Sequence, residues 1–255
     1  MAKKLSFCIT SFNRFEQISL TLPKNIKHNQ IFNNEVEFIV VDFGSTDGTS
    51  EWIIKNFFDE LTSGYLKFFK TKPIDFWHAC ICKNTAHLLA NGKIVTNLDC
   101  DNYVGPRGSG YVLSAFEKDG DKLLLHQFSG VPFDGSYGRI STYKAHFERI
   151  GGYNESLYPV GYEDKDLLLR LVSYGLKYKH LFDKRYCQAI PNSKEEGMKY
   201  INTDISFEEM NLHNRRMAKQ NITNGILIAN NKISGIKNEV YRYNPNLRDW
   251  KLVTL

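Results

Sequence analysis

The chain has 255 residues, of which 42% are hydrophobic and 24% charged, a composition that supports one large core or two modest ones and excludes a disordered or fibrous chain. The net charge of +5 is mild and the basic residues are interspersed with acids, so the balance argues against a nucleic-acid partner and for a small anionic ligand or an anionic surface. No run reaches the ~20 apolar residues that a bilayer span requires, and Met1-Ala2-Lys3-Lys4 leads straight into a strand-like segment, from which a cytoplasmic protein is expected.

Five cysteines, Cys8, Cys80, Cys82, Cys100 and Cys187, are an odd number spread through apolar runs, and read as reduced core residues. Cys80-x-Cys82 is too tight for a zinc knuckle and has no second pair.

Leu5 to Thr10 is β-like, Ser11-Phe12-Asn13-Arg14 breaks it, and a helical stretch follows from Glu16 to Lys27. Glu37 to Val41 is a buried strand that ends on Asp42, and the Gly-rich turn from Phe43 to Thr49 feeds a helix through Trp52, Ile53 and Phe57. Tyr65 to Phe69 is a short strand, Ala79 to Leu89 a helix, and Lys93 to Leu98 a further strand that delivers Asp99-Cys100-Asp101. Alternating β and α segments predict an α/β fold with a mainly parallel sheet, flanking helices and right-handed crossovers.

In such a sheet, ligands bind outside the carboxyl ends of the strands. Four of those ends converge here: Thr10 to Arg14, Asp42, the loop from Pro73 to Trp77, and Asp99 to Asp101. Two Asp one residue apart offer hard oxygens to Mg2+ or Mn2+, although acids also open turns and cap helices. Neither Gly-x-Gly-x-x-Gly after the first strand nor Gly-x-x-x-x-Gly-Lys is present, so a metal rather than a glycine cradle has to neutralise any phosphate bound here.

Beyond Asp101 the alternation weakens. Tyr111 to Phe116 reads as a helix, Leu123 to Phe128 and Ser136 to Thr142 as a small antiparallel sheet, and Ala145 to Ile150 as a short helix. The loop Gly151-Gly152-Tyr153-Asn154-Glu155 and then Gly161-Tyr162-Glu163-Asp164-Lys165-Asp166 precede a helix carrying Leu167, Leu168 and Leu171. Acids in a first helical turn are favoured by the helix dipole by ~0.3–1 kcal/mol each. Asp166 can also pair with Arg170 four residues on, so Asp166 reads as structural and Glu163 and Asp164 as candidates for chemistry. From residue 194 onward the chain is charged, helical over Glu208 to Gln220, and closes with a small hairpin of Gly225 to Ala229 and Tyr241 to Tyr243. Lys194, Lys199, Arg215, Arg216 and Lys219 make this tail basic; a solvated helix face is the plain account, and peripheral contact with the inner face of a membrane is the alternative.

These motifs, in this order, resemble those of GT-A fold glycosyltransferases, close to the large family 2 group of nucleotide-sugar-dependent transferases. Val40-Val41-Asp42-Phe43-Gly44-Ser45-Thr46-Asp47-Gly48-Thr49 is similar to the family's Val-Val-Asp-Asp-Gly-Ser-x-Asp-Gly-Thr signature, Lys83-Asn84 to an Arg-Asn pair, and Asp99-Cys100-Asp101 to its DxD. Gly151 to Glu155 and Glu163-Asp164 resemble the Gly-Gly-(Tyr/Phe)-(Asp/Asn)-Glu and Glu-Asp motifs, the latter shared with a galactosyltransferase-type C-terminal module. The resemblance implies a catalytic domain over 1–193, with a nucleotide-sugar half (1–102) and an acceptor half (103–193), and a helical and hairpin extension over 194–255.

Carried onto this sequence, it implies that Thr10, Phe12, Asn13, Arg14, Asp42, Lys83, Asn84 and Asp99 bind nucleotide, and that Asp101 and Asp99 hold Mn2+ or Mg2+. Asp164 would take the acceptor proton in an inverting displacement, with Glu163 on the acceptor hydroxyl. Trp77, Gly151, Gly152 and Tyr162 would line the sugar and acceptor side. The implied donor is a nucleoside-diphosphate sugar, UDP-linked in the first instance, and the implied acceptor a glycan or glycolipid of polysaccharide biosynthesis.

The sequence also departs from the pattern. Phe43 stands where a second acid is usual, and Tyr186 to Asn192 contains no His where relatives often place a metal ligand. Gln188 and His213 are the candidate substitutes and a more weakly held metal is the other reading, with His78 and His126 as further candidates, each histidine weighed against an ordinary surface or core role. Trp77 has core packing as its ordinary role and stacking on a sugar or base as the alternative, as do the aromatics Tyr103, Phe133 and Tyr137. These departures support a rival reading, a catalytically inactive sugar-nucleotide or glycan-binding module, against which Glu163-Asp164 stands intact. A sugar-nucleotide nucleotidyltransferase is disfavoured, because the Gly-rich basic N-terminal loop of that chemistry is missing. The sugar, the linkage and the oligomeric state are not legible.

Overall fold

The first strand, β1 (Leu5–Ser11), and the second, β2 (Val36–Asp42), are buried along their whole length, as continuous apolar runs are when helices cover both faces of a parallel sheet. The structure is a computed structural model that describes residues 3–131, 134–191, 193, 197–231, 235 and 239–254. Alternation along the strands splits the side chains between two cores: Leu5, Phe7, Ile9, Val36, Phe38 and Val40 enter one, and Cys8, Ile39 and Val41 the other. On the first core pack α1 (Phe15–Asn29), α2 (Thr49–Asn56), α3 (Phe58–Ser63) and α5 (Gly108–Asp119); on the second pack α4 (Ala79–Leu88), α6 (Lys144–Arg149) and α7 (Glu163–Ser173). The expected helix through Phe57 stops at Asn56, and a second helix starts at Phe58. A further helix, α8 (Phe207–Thr223), packs against α7. No helix among the described residues is long and apolar enough to cross a membrane. All five cysteines are free, and all but Cys100 are buried.

The remaining strands are β3 (Leu66–Thr71), β4 (Ile94–Asn97), β5 (Leu123–Gln127), β6 (Ile140–Tyr143), β7 (Lys177–Leu181), β8 (Val240–Asn244) and β9 (Asp249–Val253). They form one nine-stranded sheet in the order β7-β5-β6-β4-β1-β2-β3-β8-β9, in which β6 and β8 run against the other strands. The mainly parallel α/β sheet is as expected. The acceptor-side antiparallel pair, β5 with β6, lies within that same sheet, and β7 adds a parallel edge strand that the sequence pattern did not reveal.

The expected pairing of Gly225 to Ala229 with Tyr241 to Tyr243 is corrected. Tyr241 pairs with Leu252 and Tyr243 with Trp250, across a turn in which the Asn244 side chain accepts the amides of Asn246 and Leu247 at 3.1 and 3.2 Å. Ala229 instead donates its amide to Ile150 O at 2.9 Å. Asn244 closes a shorter, local hairpin, while residues 226–229 are committed to the turn after α6.

From β1 the chain runs through α1 to β2 and β3, then returns through α4 to β4 on the other side of β1. Because α1 and α4 cover opposite faces, the strand order reverses between β1 and β4, and a crevice opens beyond their carboxyl ends.

The Asp166 and Arg170 pair expected from spacing is formed. Arg170 Nη2 lies 2.7 Å from Asp166 Oδ2, with both side chains at most 1% exposed. The same guanidinium donates to Ile150 O at 3.1 Å and to Gly152 O at 2.7 Å, so α7 is tied to the Gly151-Gly152 turn. Asp166→Ala leaves a buried guanidinium without its counter-charge and is expected to cost about 3–5 kcal/mol of unfolding free energy, measured by chemical denaturation. The double replacement Asp166→Leu with Arg170→Met should recover most of that loss, and a single-variant cost below ~1 kcal/mol would contradict a structural role for the pair.

Candidate active site

A cavity of about 340 Å3 occupies the crevice. Its walls come from Thr10 at the end of β1, Phe12 and Arg14 after it, Trp77, Ala79 and Lys83 around the start of α4, and Asp99, Cys100 and Asp101 after β4. Val160, Glu163 and Asp164 contribute from the start of α7, Gly135 from the loop before β6, and Ser193, Gly197, Tyr200 and Phe207 from the tail.

Lys83 stands at the centre of the acids. Its Nζ lies 2.8 Å from Asp164 Oδ1, 3.4 Å from Glu163 Oε1 and 3.7 Å from Asp99 Oδ1, with the lysine side chain only 5% exposed. Burial disfavours the ammonium, but Asp164, Asp99 and Glu163 outweigh it and hold the Lys83 pKa well above its ordinary value. Burial pushes the Asp164 carboxyl up to about 7, against the pull of Lys83 and with the help of Glu163 and Asp99. Burial and the charge of Asp99 push Asp101 up to about 6.

The loop that carries Asp99 and Asp101 is braced on three sides. From α1, Thr21 donates to Cys100 O and Asn25 to Asn102 O at 2.9 Å, while Asn25 Oδ1 accepts the Val104 amide at 2.8 Å. From the loop before β6, the buried Arg139 donates to Asn102 Oδ1 at 2.6 Å and to Gln188 O at 3.0 Å. Asn102 Nδ2 in turn donates to Asp101 Oδ1 at 2.6 Å. Asn97 donates to Asp99 Oδ1 and to Gly138 O, both at 3.0 Å.

Of the residues singled out in the sequence, Thr10, Phe12, Arg14, Lys83, Asp99, Asp101, Glu163, Asp164 and Trp77 line this one cavity. Other predicted residues stand behind them. Asp42 is 1% exposed, and its oxygens accept from the Ser45 amide at 3.1 Å and from Ser50 Oγ at 2.7 Å; burial raises its pKa. Asn13 receives the Thr46 amide at 2.8 Å and gives its own amide to Ser45 Oγ at 2.7 Å. The two residues thus join the loops after β1 and β2 rather than lining the cavity. Asn84 accepts the Tyr153 amide and donates to Glu155 Oε1, both at 2.8 Å. Gly151 and Gly152 have φ of +75° and +66°, and a Cβ would meet Ala229 O at 1.9 Å and Asn84 Oδ1 at 2.4 Å. Tyr162 precedes α7 at φ +66°. Asn84, the two glycines and Tyr162 shape the turn that leads into Glu163 and Asp164.

Among the described residues, no group of three or more His, Cys, Asp or Glu gathers around a common point for a metal. His213 stacks on Tyr158 at 4.2 Å between ring centroids. His78 meets Leu157 O at 3.2 Å. His126 is held by Tyr178 Oη at 2.8 Å and Tyr137 O at 2.7 Å, and burial pushes its pKa down to about 4. Gln188 contributes its backbone carbonyl to Tyr103 N at 3.0 Å. Tyr103 lies beneath Lys24 and Tyr137 packs on His126; Phe133 falls outside the described residues. Trp77 packs its ring edge-on against Phe43 at 5.8 Å and also lines the cavity. Phe43 is fully buried, so the missing second acid is a core side chain.

Four contributors escaped the sequence reading. Arg139 carried no motif, and the tail residues Tyr200 and Phe207 reach the cavity from far along the chain. Gly138 is recognisable only in three dimensions, because a Cβ there would lie 2.5 Å from Asp99 Oδ2 and 3.1 Å from Asp164 Oδ2.

A sheet whose reversal point carries a DxD loop facing an acid-tipped helix is the architecture of a GT-A type transferase. The fold is similar to that of residues 1–349 of S. aureus TarS in complex with UDP, with a TM-score of 0.61 at 17% identity over 86% of this chain and 72% of that one. The UDP-GlcNAc complex of the same fragment gives a TM-score of 0.60 at 17% identity, covering 86% and 73%. The mannosyltransferase PcManGT from Pyrobaculum calidifontis, in complex with GDP-Man and Mn2+, gives 0.60 at 14% identity, covering 89% and 72%. No curated protein matches the sequence. Residues 133–193 match the N-terminal domain of galactosyltransferase, and residues 6–158 match glycosyl transferase family 2. The chain belongs to glycosyl transferase family 2 and is a glycosyltransferase.

Gly138→Ala tests the closeness of the two carboxylates. The collision is with the free ends of Asp99 and Asp164, so the fold should survive with a loss of roughly 1–3 kcal/mol in thermal denaturation. Sugar-nucleotide turnover should fall about 10²-fold, as expected for a catalytic group displaced by ~1 Å. Unchanged turnover would show that these side chains need not hold their positions.

Proposed function

We propose that the enzyme transfers a sugar, with inversion at the anomeric carbon, from a UDP-linked donor to a hydroxyl of a glycan or glycolipid, with Mn2+ or Mg2+ beside the diphosphate. The observation that carries this reading is the placement of Asp164 in the same cavity as Asp99 and Asp101, with Lys83 between Asp99 and Asp164. An in-line displacement needs those two functions on separate groups, one base for the acceptor proton and one cationic site for the leaving diphosphate.

The donor set suits a hard divalent cation. Asp101 is 8% exposed, and its carboxyl is pushed up by burial and by Asp99, the signature of an anionic site that a cation would relieve. Asp99 and Asp101 would hold the ion, and Mg2+ or Mn2+ bound by two carboxylates takes phosphate oxygens and water for the rest of its shell. When bound, the ion would carry negative charge on the departing diphosphate. Thr10, Phe12 and Arg14 would contact the nucleotide directly, while Asn13 and Asp42 fix the loops from behind. Lys83 orients Asp164, and Glu163 would receive the acceptor hydroxyl. Asp164 would take its proton, a role worth ~10²- to 10⁴-fold.

UDP release in the presence of a glycan acceptor, with product stereochemistry read by NMR, tests the reading. Asp164→Asn should lower turnover about 10²- to 10⁴-fold, and the product anomer should be opposite to that of the donor. Retention of configuration would overturn the base assignment.

Because Asp164 must be deprotonated to act, kcat/KM should rise with pH and level off above about 7, where its carboxyl titrates. Lys83 holds that value down, so Lys83→Met should move the rising limb to higher pH. A limb that stays in place would separate Asp164 from the rate.

A further inference from the structure

Away from the cavity, the tail presents an aliphatic tip beside a basic helix face. Ile226 and Ile228 are 51% and 55% exposed, whereas Ala229 is buried. Exposure alternates along the segment, with Leu227 half-buried between them, so the two isoleucines share the solvent side. Ile226 N donates to Asn221 O at 2.8 Å and Ala229 N to Ile150 O at 2.9 Å. These bonds hold the segment against the end of α8 and beside the exposed Arg149 of α6. On α8, Leu212, Arg215, Arg216 and Lys219 recur at three- and four-residue spacing and are all exposed, while Met210, Asn214 and Ala218 form the buried face. The acids of α8, Glu208 and Glu209, lie in its first turn at the end away from the isoleucines.

We propose that this face docks on an anionic lipid bilayer, with Ile226 and Ile228 entering the acyl boundary and Arg215, Arg216 and Lys219 meeting the lipid phosphates. A second copy of the chain fits less well, because an isologous contact would set these basic side chains against their own equivalents. Exposed isoleucines on a connecting loop offer no groove for a partner's helix or strand, but they can enter a fluid interface.

The buried face of the same helix carries Asn214, whose side chain accepts the Tyr158 amide and donates to Gly161 O, both at 2.7 Å, on either side of the cavity residue Val160. The basic face of the helix therefore lies about one helix diameter, ~10 Å, from the cavity wall, a placement that suits a lipid-linked acceptor. That last point rests on the proposed acceptor class; the docking surface does not.

Co-sedimentation of the full chain with phosphatidylcholine vesicles, with and without phosphatidylglycerol, tests the proposal. Binding is expected to the mixed vesicles and to be weak on pure phosphatidylcholine. It should fall at least about tenfold in Ile226→Ser with Ile228→Ser, from the lost apolar burial, and comparably in Arg215→Glu with Arg216→Glu. Every altered side chain is on the surface, and an unchanged melting temperature verifies the fold. No sedimentation of the native chain, equal binding to both lipids, or binding that both variants retain would overturn it, as would a native dimer that Ile226→Ser with Ile228→Ser dissociates. No donor or acceptor enters this assay, so its failure leaves the transferase reading intact, and failure of the turnover assays leaves the vesicle result standing.

Discussion

One ammonium among three carboxylates sets the geometry of this site. Unit charges 4 Å apart interact by about 4 kcal/mol at an effective dielectric near 20, so Lys83 offsets a large mutual repulsion among Asp99, Glu163 and Asp164. The lysine comes from α4, Asp99 from the loop after β4, and the other two acids from the first turn of α7. Three elements distant in sequence are thereby brought to one point, and α7 is held to that point from its other side by Arg170 and the Gly151-Gly152 turn. A net anionic balance remains at Asp101, where burial and the neighbouring charge of Asp99 raise the carboxyl to about 6. On the proposed reading, this uneven distribution of charge separates a base held by a lysine from a pair of oxygen donors suited to a cation.

The sheet topology explains why these groups face a cavity rather than a core. Strand order reverses between β4 and β1, and helices that leave the sheet on opposite faces cannot cover the gap beyond the strand ends. The loops at that gap are braced by hydrogen bonds among their own side chains and backbone. Asn25, Arg139 and Asn102 fix the DxD loop, and Asn13 and Asp42 fix the loops after β1 and β2. A cavity with pre-formed walls spends little binding free energy on ordering the protein when a ligand arrives.

Much of this could be read from the sequence. Apolar runs of strand length ending on acids located β2 and β4 and placed Asp99 and Asp101 at the sheet edge, and the i, i+4 spacing of Asp166 and Arg170 separated a structural acid from Glu163 and Asp164. What escaped depends on distant contacts. Asp42 and Asn84 lie in motifs, yet their bonding partners, Ser45 with Ser50 and Tyr153 with Glu155, absorb them into loop architecture. Gly138 and Arg139 carry no local pattern, because their meaning lies in what stands opposite them. Strand β7, with its polar Lys177-Tyr178-Lys179-His180 run, is an edge strand with little apolar signal of its own, and the pairing of Tyr241 to Tyr243 depended on the turn chemistry of Asn244.

The most direct test is the melting temperature of the native chain and of Asp101→Ala with UDP, each in Mn2+ and in EDTA. A ligand that binds the folded state alone raises its stability by mass action. A rise with UDP and Mn2+ that is lost in EDTA and lost in Asp101→Ala is the predicted result, and places the metal and diphosphate at the DxD loop. A rise of equal size in EDTA or in the variant would contradict that account, as would no rise with UDP under any of these conditions.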